Sequence, residues 1–135
     1  MANLAGIVRD ESSARGELLA LRQGDLALTY AELERAAGQA AALLREAGVR
    51  PGDRVALMLP NVLAYPLFFY GSLAAGASVV PMNPLLKSRE VAYYLGDSGA
   101  SVIFAWEAMG VPIEPALRGR SGWLNEATGE VSDSP

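Results

Sequence analysis

VALMLPNVLAYPLFFYGSLAAGASVVPMNPLL, residues 55–86, contains no Asp, Glu, Lys or Arg. A stretch this apolar must be buried, in a bilayer or under other protein. Val62 to Met82 is long enough to span a membrane, which takes about 20 apolar residues in one unbroken helix. Proline and glycine break it. Pro60, Pro66, Pro81 and Pro84, with Gly71 and Gly76, cut the stretch into pieces, and Ser78-Val79-Val80-Pro81 has the β-branched character of a strand. The stretch therefore reads as strand, helix, strand, with both strands inside a parallel sheet covered on both faces, and no transmembrane segment is expected.

Working outward, the same alternation of strand and helix continues. Upstream, Thr29 and Glu32 form a capping box, and Leu33, Ala36, Ala37, Ala40, Leu44 and Ala47 recur at helical spacing up to Gly48. Arg50-Pro51-Gly52-Asp53 then turns the chain into a strand over Arg54–Leu59, which Pro60-Asn61 ends, with Asn61 placed to cap the next helix. That helix runs to about Ala75. Gly71, Ala74, Ala75 and Gly76 would let it lie close on the sheet. Downstream, Ser88 is placed to cap a helix with Val91, Tyr94 and Leu95 facing inward, stopping at Gly96 or Gly99, and Ser101–Trp106 reads as a last strand.

Nearer the N-terminus, Asn3 is placed to cap a short helix with Leu4, Ile7 and Val8 on one face. Leu18–Leu21 and Leu26–Leu28 read as brief extended segments around Gln23-Gly24-Asp25. The expected class is α/β, a right-handed parallel sheet with helices on both faces, over residues 1–106. Residues 107–135 differ in character: Glu107, Glu114, Glu126, Glu130 and Asp133 against Arg118 and Arg120 give −3 of the total charge of −4. This stretch, with its Gly, Pro and Ser, reads as an acidic loop or linker in which Val111–Ile113 and Trp123-Leu124 pack only locally.

Composition excludes several chemistries. At 135 residues the chain is the size of one domain; 51% hydrophobic against 19% charged residues is apolar for a soluble one and suggests that a larger body covers part of it. Eleven basic and 15 acidic residues, without a Lys/Arg cluster, leave no electrostatic footprint for nucleic acid or anionic membrane. There is no Cys and no His, hence no thiolate nucleophile, disulfide framework, imidazole base or His metal ligand. The opening MANLAGIVRDESSARG has no basic region followed by an apolar core, so a cytoplasmic location is expected.

Apparent catalytic motifs resolve into structural ones. Gly96-Asp97-Ser98-Gly99 resembles a serine-hydrolase nucleophile loop but lacks any His base, and reads as helix-end punctuation. No Gly-x-Gly and no phosphate loop ending in Gly-Lys-Ser/Thr occurs. The single lysine, Lys87, reads as a solvated loop charge, because a catalytic role would require burial beside a substrate carboxylate or phosphate. Tyr65, Phe68, Phe69 and Tyr70 read as core or interface rather than a cofactor shelf. No catalytic, cofactor-binding or metal-ligating residue is assigned.

The ordered phrases LTYAELERAAGQAAALLREAGVRPGDRVALMLPNVLAYPLFFYGSLAAGASVVPMNP (residues 28–84) and REVAYYLGDSGASVIF (residues 89–104) carry more information than any one motif. Together they resemble the beginning of AMP-forming acyl-CoA synthetases, the fatty-acid–CoA ligases of the adenylate-forming superfamily. The resemblance covers Leu26–Trp106 and extends weakly over Asn3–Arg22; NVLAYP leans toward the long-chain branch. It implies a fold, the first part of a large N-terminal α/β domain, and a reaction. A carboxylate such as a fatty acid attacks ATP, assisted by Mg2+, and coenzyme A then displaces AMP.

In such enzymes the phosphates are held by a later loop rich in Ser, Thr and Gly and ending in Pro-Lys-Gly, and a catalytic lysine lies in a small C-terminal domain. Neither appears here, so the expectation is scaffold without turnover, binding no cofactor itself. The alternative is a free-standing α/β interaction module on the same scaffold. Either way, uncovered apolar surface and a free sheet edge lead us to expect self-association.

Overall fold

The computed structural model describes residues 3–105, 123–125 and 130–132. Its elements run α1 (Gly6–Arg15), β1 (Leu19–Gln23), β2 (Leu26–Thr29), α2 (Tyr30–Glu46), β3 (Arg54–Met58), α3 (Ala64–Ala74), β4 (Ser78–Pro81), α4 (Ser88–Ser98), β5 (Val102–Ala105), β6 (Trp123–Asn125) and β7 (Glu130–Ser132). β1 and β2 form an antiparallel hairpin. The other strands make one sheet in the order β4-β3-β5-β6-β7, parallel except for β6 against β7.

Strand β3 explains the absence of charge. Successive side chains on a strand point to opposite faces, and here both faces are covered. Val55, Leu57 and Leu59 join Val102 and Phe104 of β5 in one core, roofed by Ala40, Ala41 and Leu44 of α2 and Phe68 of α3. Ala56 and Met58 join Ile103 and Ala105 in a second core under Val91 and Leu95 of α4. The register agrees, pairing Leu57 with Phe104 and Ala56 with Ile103.

The order of β4, β3 and β5 fixes which helix lies where. The chain leaves β3, passes through α3 and returns beside it as β4; it then crosses back through α4 to become β5 on the other side of β3. Two right-handed crossovers in opposite directions put their helices on opposite faces, as the two cores show.

Helix α2 begins as its sequence requires. Thr29 Oγ1 accepts from Glu32 N at 3.2 Å, and the Glu32 carboxylate accepts from Thr29 N at 3.0 Å. The bond from the Thr29 backbone N–H, then that from its side chain, holds the Glu32 carboxyl below its ordinary pKa of 4.5. A depressed folded-state pKa contributes stability above the unfolded value that is lost as pH falls through the folded one. Thr29→Ala removes the N-cap and will cost about 1 kcal/mol, and Glu32→Gln will flatten part of the acid-side loss of stability. Denaturant titrations at neutral and acidic pH check both, and a Thr29→Ala chain as stable as the parent would contradict the cap.

Several local expectations are corrected. Asn3 does not cap α1, whose N-cap is Ala5; its Oδ1 accepts from Ala5 N, while its Nδ2 donates 2.6 Å to Leu73 O at the end of α3. Val8 is buried, but Leu4 and Ile7 are exposed. Asn61 does not cap α3, which starts later, after Leu63. The N-cap of α4 is Lys87 rather than Ser88, and Tyr94 is 44% exposed while Val91 and Leu95 are buried.

Gly71 within α3 and Gly76 just after it touch other partners than the sheet. A Cβ on Gly71 would sit 2.6 Å from Ala40 Cβ and 3.0 Å from Ala37 O, so this glycine lets α3 approach α2. Gly76 has φ +84 and lies against Pro51, and its carbonyl accepts from Gly52 N at 3.0 Å, locking the Pro-Gly-Asp turn to the end of α3. The two helices are joined further by Arg45 Nη2, which donates to Ala74 O.

Within residues 107–135, β6 and β7 extend the sheet, and Trp123 pairs with Ile103 and Ser132. Strands in this stretch were not expected from its acidic, aperiodic sequence. Val111–Ile113 lie outside the described residues. Among the described residues no helix is long and apolar enough to cross a membrane.

Candidate functional site

In open α/β sheets, ligands bind outside the carboxyl ends of the strands, where neighbouring connections leave toward opposite faces. In the order β4-β3-β5-β6 that point lies between β3, whose connection runs to β4, and β5, whose connection runs to β6; the segment that follows β5 lies outside the described residues, and the described part of the rim is formed by the exits of β3 and β4. This part consists of Leu59–Leu63 after β3 and Met82–Lys87 after β4.

Proline and asparagine shape this rim. Pro60 ends the β3 ladder, and its carbonyl accepts from Val62 N at 2.8 Å. The chain then turns into α3, with Pro66 in the first turn, where a missing N–H costs nothing. Leu63 N, an orphan donor at this helix start, is taken by Gln23 Oε1 of the hairpin at 2.8 Å. On the neighbouring strand, Met82 N continues the ladder to Leu57 O, and Asn83 Oδ1 accepts from Leu85 N at 2.9 Å in an Asx turn. A hollow of about 260 Å³ opens between Leu21–Gln23 and Asn61–Pro66.

The chemistry available at the rim is narrow. Among the described residues its polar groups are backbone amides and the side chains of Gln23, Asn61 and Asn83, with Arg22 and Tyr65 lining the hollow, and the first ionisable group after β4 is Lys87, which is exposed. A hard cation needs carboxylate oxygens, and among the described residues no group of three or more His, Cys, Asp or Glu side chains assembles. Among the described residues the rim carries no carboxylate, and its charged groups are Lys87 at one end and Arg22 beside the hollow.

The other residues singled out in the sequence lie apart from it. Gly99, at φ +69, closes α4, and Ser98 Oγ donates to Leu95 O at 3.5 Å and accepts from Ala100 N at 3.3 Å. That hydroxyl is occupied in ending a helix. Phe68 stacks on Phe104 with ring centroids 4.2 Å apart, Tyr65 stacks on Phe69 and Phe69 meets Tyr70 edge-on; these rings pack the α3 layer. Gln23, which braces the β3–α3 loop, had no signal in the sequence beyond its place in a hairpin turn, since its partner is 40 residues away.

Comparison with known proteins agrees with this architecture. The profile of a family described as AMP-binding enzyme matches residues 8–131. A long-chain-fatty-acid–CoA ligase of Mycobacterium tuberculosis is 33% identical over 135 residues, covering 98% of this chain and 26% of the relative. A feruloyl-CoA synthase of an Amycolatopsis species is 42% identical over 121 residues, covering 86% of this chain and 25% of the relative. Among solved structures, a benzoate CoA ligase from Burkholderia xenovorans LB400 superposes with a TM-score of 0.85 at 30% identity, over 92% of this chain and 26% of that one. The N-terminal domain of FACL13 from Mycobacterium tuberculosis gives 0.84 at 31% identity, over 95% and 35%. The chain spans about a quarter of the length of these curated relatives.

Proposed function

Since the chain belongs to the family of AMP-binding enzymes, we propose that it supplies the framework of an ATP-dependent acid–CoA ligase and not its nucleotide-handling groups. The reaction served would join a carboxylic acid to coenzyme A, with ATP split to AMP and pyrophosphate. The relatives named for long-chain fatty acids, together with NVLAYP at residues 61–66, favour a fatty acid; those named for ferulate and benzoate keep aromatic acids as the competing class. The cytoplasm is the proposed location, supported by an opening sequence without a basic region followed by an apolar core. The α/β part of this framework is proposed to fall within residues 1–106, with β6 and β7 adding two strands to the same sheet.

The observation that carries this reading is the charge-free run from Val55 to Leu86, which supplies the exits of β3 and β4. Neutralising a triphosphate takes clustered backbone N–H donors and a cation. Between Val55 and Leu86 there is no ionisable acid or base apart from tyrosine, and Lys87 lies exposed at the cap of α4. The donors on the rim therefore do not fit Mg2+-ATP, and no step of the reaction is assigned to them. What these residues do is mechanical: β3 and β5 present two apolar faces, and Gln23 and Asn83 fix the loops that leave the sheet.

The purified chain will therefore catalyse no ATP–pyrophosphate exchange with fatty acids, ferulate or benzoate. Exchange above that of a heat-denatured control, or saturable binding of MgATP by titration calorimetry, would overturn the reading. An independent α/β interaction module on the same scaffold predicts the same silence. Sequence downstream of Pro135 separates the two: an enzyme continues into a Ser/Thr/Gly-rich loop with Pro-Lys-Gly, and a module does not.

A further inference from the structure

The outward face of α4 has a symmetry of its own. Val91 and Leu95 point into the second core, which leaves Arg89, Ala92, Tyr93, Gly96 and Asp97 toward solvent. Arg89, Tyr93 and Asp97 are spaced four residues apart and form one ridge along the helix. Tyr93 is 67% exposed, with a positive charge one turn before it and a negative charge one turn after. Among the described residues the ion pair is Arg15–Glu11, and neither Arg89 nor Asp97 meets an opposite charge there.

We propose that two copies of this chain pair through α4, antiparallel, about a two-fold axis at Tyr93. A two-fold contact requires a surface complementary to itself, and this ridge is. Reversing the helix about Tyr93 sets Arg89 of each copy against Asp97 of the other, and Tyr94 against Ala92. Gly96 leaves room for close approach, and Lys87 falls beside the carbonyl end of the opposite helix, where a cation is favoured. The hollow of about 480 Å³ lined by Lys87, Arg89, Glu90, Tyr93 and Tyr94 receives the tyrosine ring of the second copy. Antiparallel helix dipoles add to the match. This pairing does not depend on the ligase reading.

A helix of 11 residues is about 16 Å long, short of the roughly 800 Å² per partner of a tight complex. The dimer is therefore weak, with a dissociation constant on the order of 10⁻⁵ M. Sedimentation velocity over a concentration series measures it. Arg89→Asp and Asp97→Arg, made singly, each place like charges opposite each other twice and should weaken the dimer about tenfold or more. The double variant restores it, and so does mixing the two single variants, whose charges complement each other only in a mixed pair.

Both substitutions improve the match to the α4 dipole, so the variants keep their fold, which circular dichroism verifies. A parent chain that sediments as a monomer at about 1 mM, single variants that associate as the parent does, or mixed singles that fail to pair would each overturn the proposal.

Discussion

Phe104→Ala will cost about 3–5 kcal/mol of folding stability, the largest loss expected from truncating one side chain here. Phe104 is 3% exposed on β5, a strand flanked on both sides, with its ring stacked on Phe68 of α3 and its backbone in register with Leu57. Truncation removes the ring from the first core and leaves a cavity against an aromatic face that cannot collapse, because the α2–α3 contact above it is already closed. A domain stable by about 5–15 kcal/mol loses a large part of its margin. Chemical denaturation measures the loss, and Leu85→Ala, at a side chain 74% exposed, should stay within about 0.5 kcal/mol. A Phe104→Ala chain within 1 kcal/mol of the parent would mean that this core is not packed as described.

The second large effect distinguishes two helical glycines by what lies beside them. Gly71→Leu should cost about 3 kcal/mol, because even the first added carbon would stand 2.6 Å from Ala40 Cβ and 3.0 Å from the Ala37 carbonyl. Neither neighbour can rotate away, since one is a methyl fixed to its backbone and the other is backbone itself. Gly38, on α2, has nothing within 4 Å of an added Cβ. There, Gly38→Ala should stabilise by up to about 1 kcal/mol, the ordinary helix preference for alanine. Opposite signs for two glycine replacements in one helix pair are the diagnostic outcome. Melting curves read it directly, and a neutral Gly71→Leu would refute the close approach of α2 and α3.

Much of the architecture was legible because burial on two faces leaves a mark that burial on one does not. β3 and β5 show as charge-free runs, whereas β4, equally free of charge, is an edge strand with Ser78 and Pro81 exposed and its valines half-buried; α2 announces itself through Thr29, Glu32 and a helical repeat. What was not legible depended on contacts between distant residues. Asn3 and Asn61 have the chemistry of caps, but Asn3 is drawn to Leu73 O, and the α3 donor near Asn61 is satisfied by Gln23. Tyr94 has helical spacing suited to burial and yet lies at the margin of the face. β6 and β7 form by pairing with an existing sheet edge, which their own three-residue sequences do not signal.

At the candidate site the sequence was informative mainly by what it withheld. Charge was missing from the strand exits, and the fold sets those exits side by side. Gly96–Gly99 became a helix end, as its residues suggested. The brace from Gln23 needed three-dimensional information.

The strand at the centre of the β4-β3-β5 array is also the one the ribosome finishes first. Until Ala105 has been synthesised, β3 has an unsatisfied flank, and for part of that time two. At translation speeds of about 5–20 residues per second this interval lasts a few seconds. During it the most apolar part of the chain has α2 for shelter on one face and nothing on the other. Nascent-chain chaperones should therefore engage this polypeptide most strongly between the emergence of Met58 and that of Ala105.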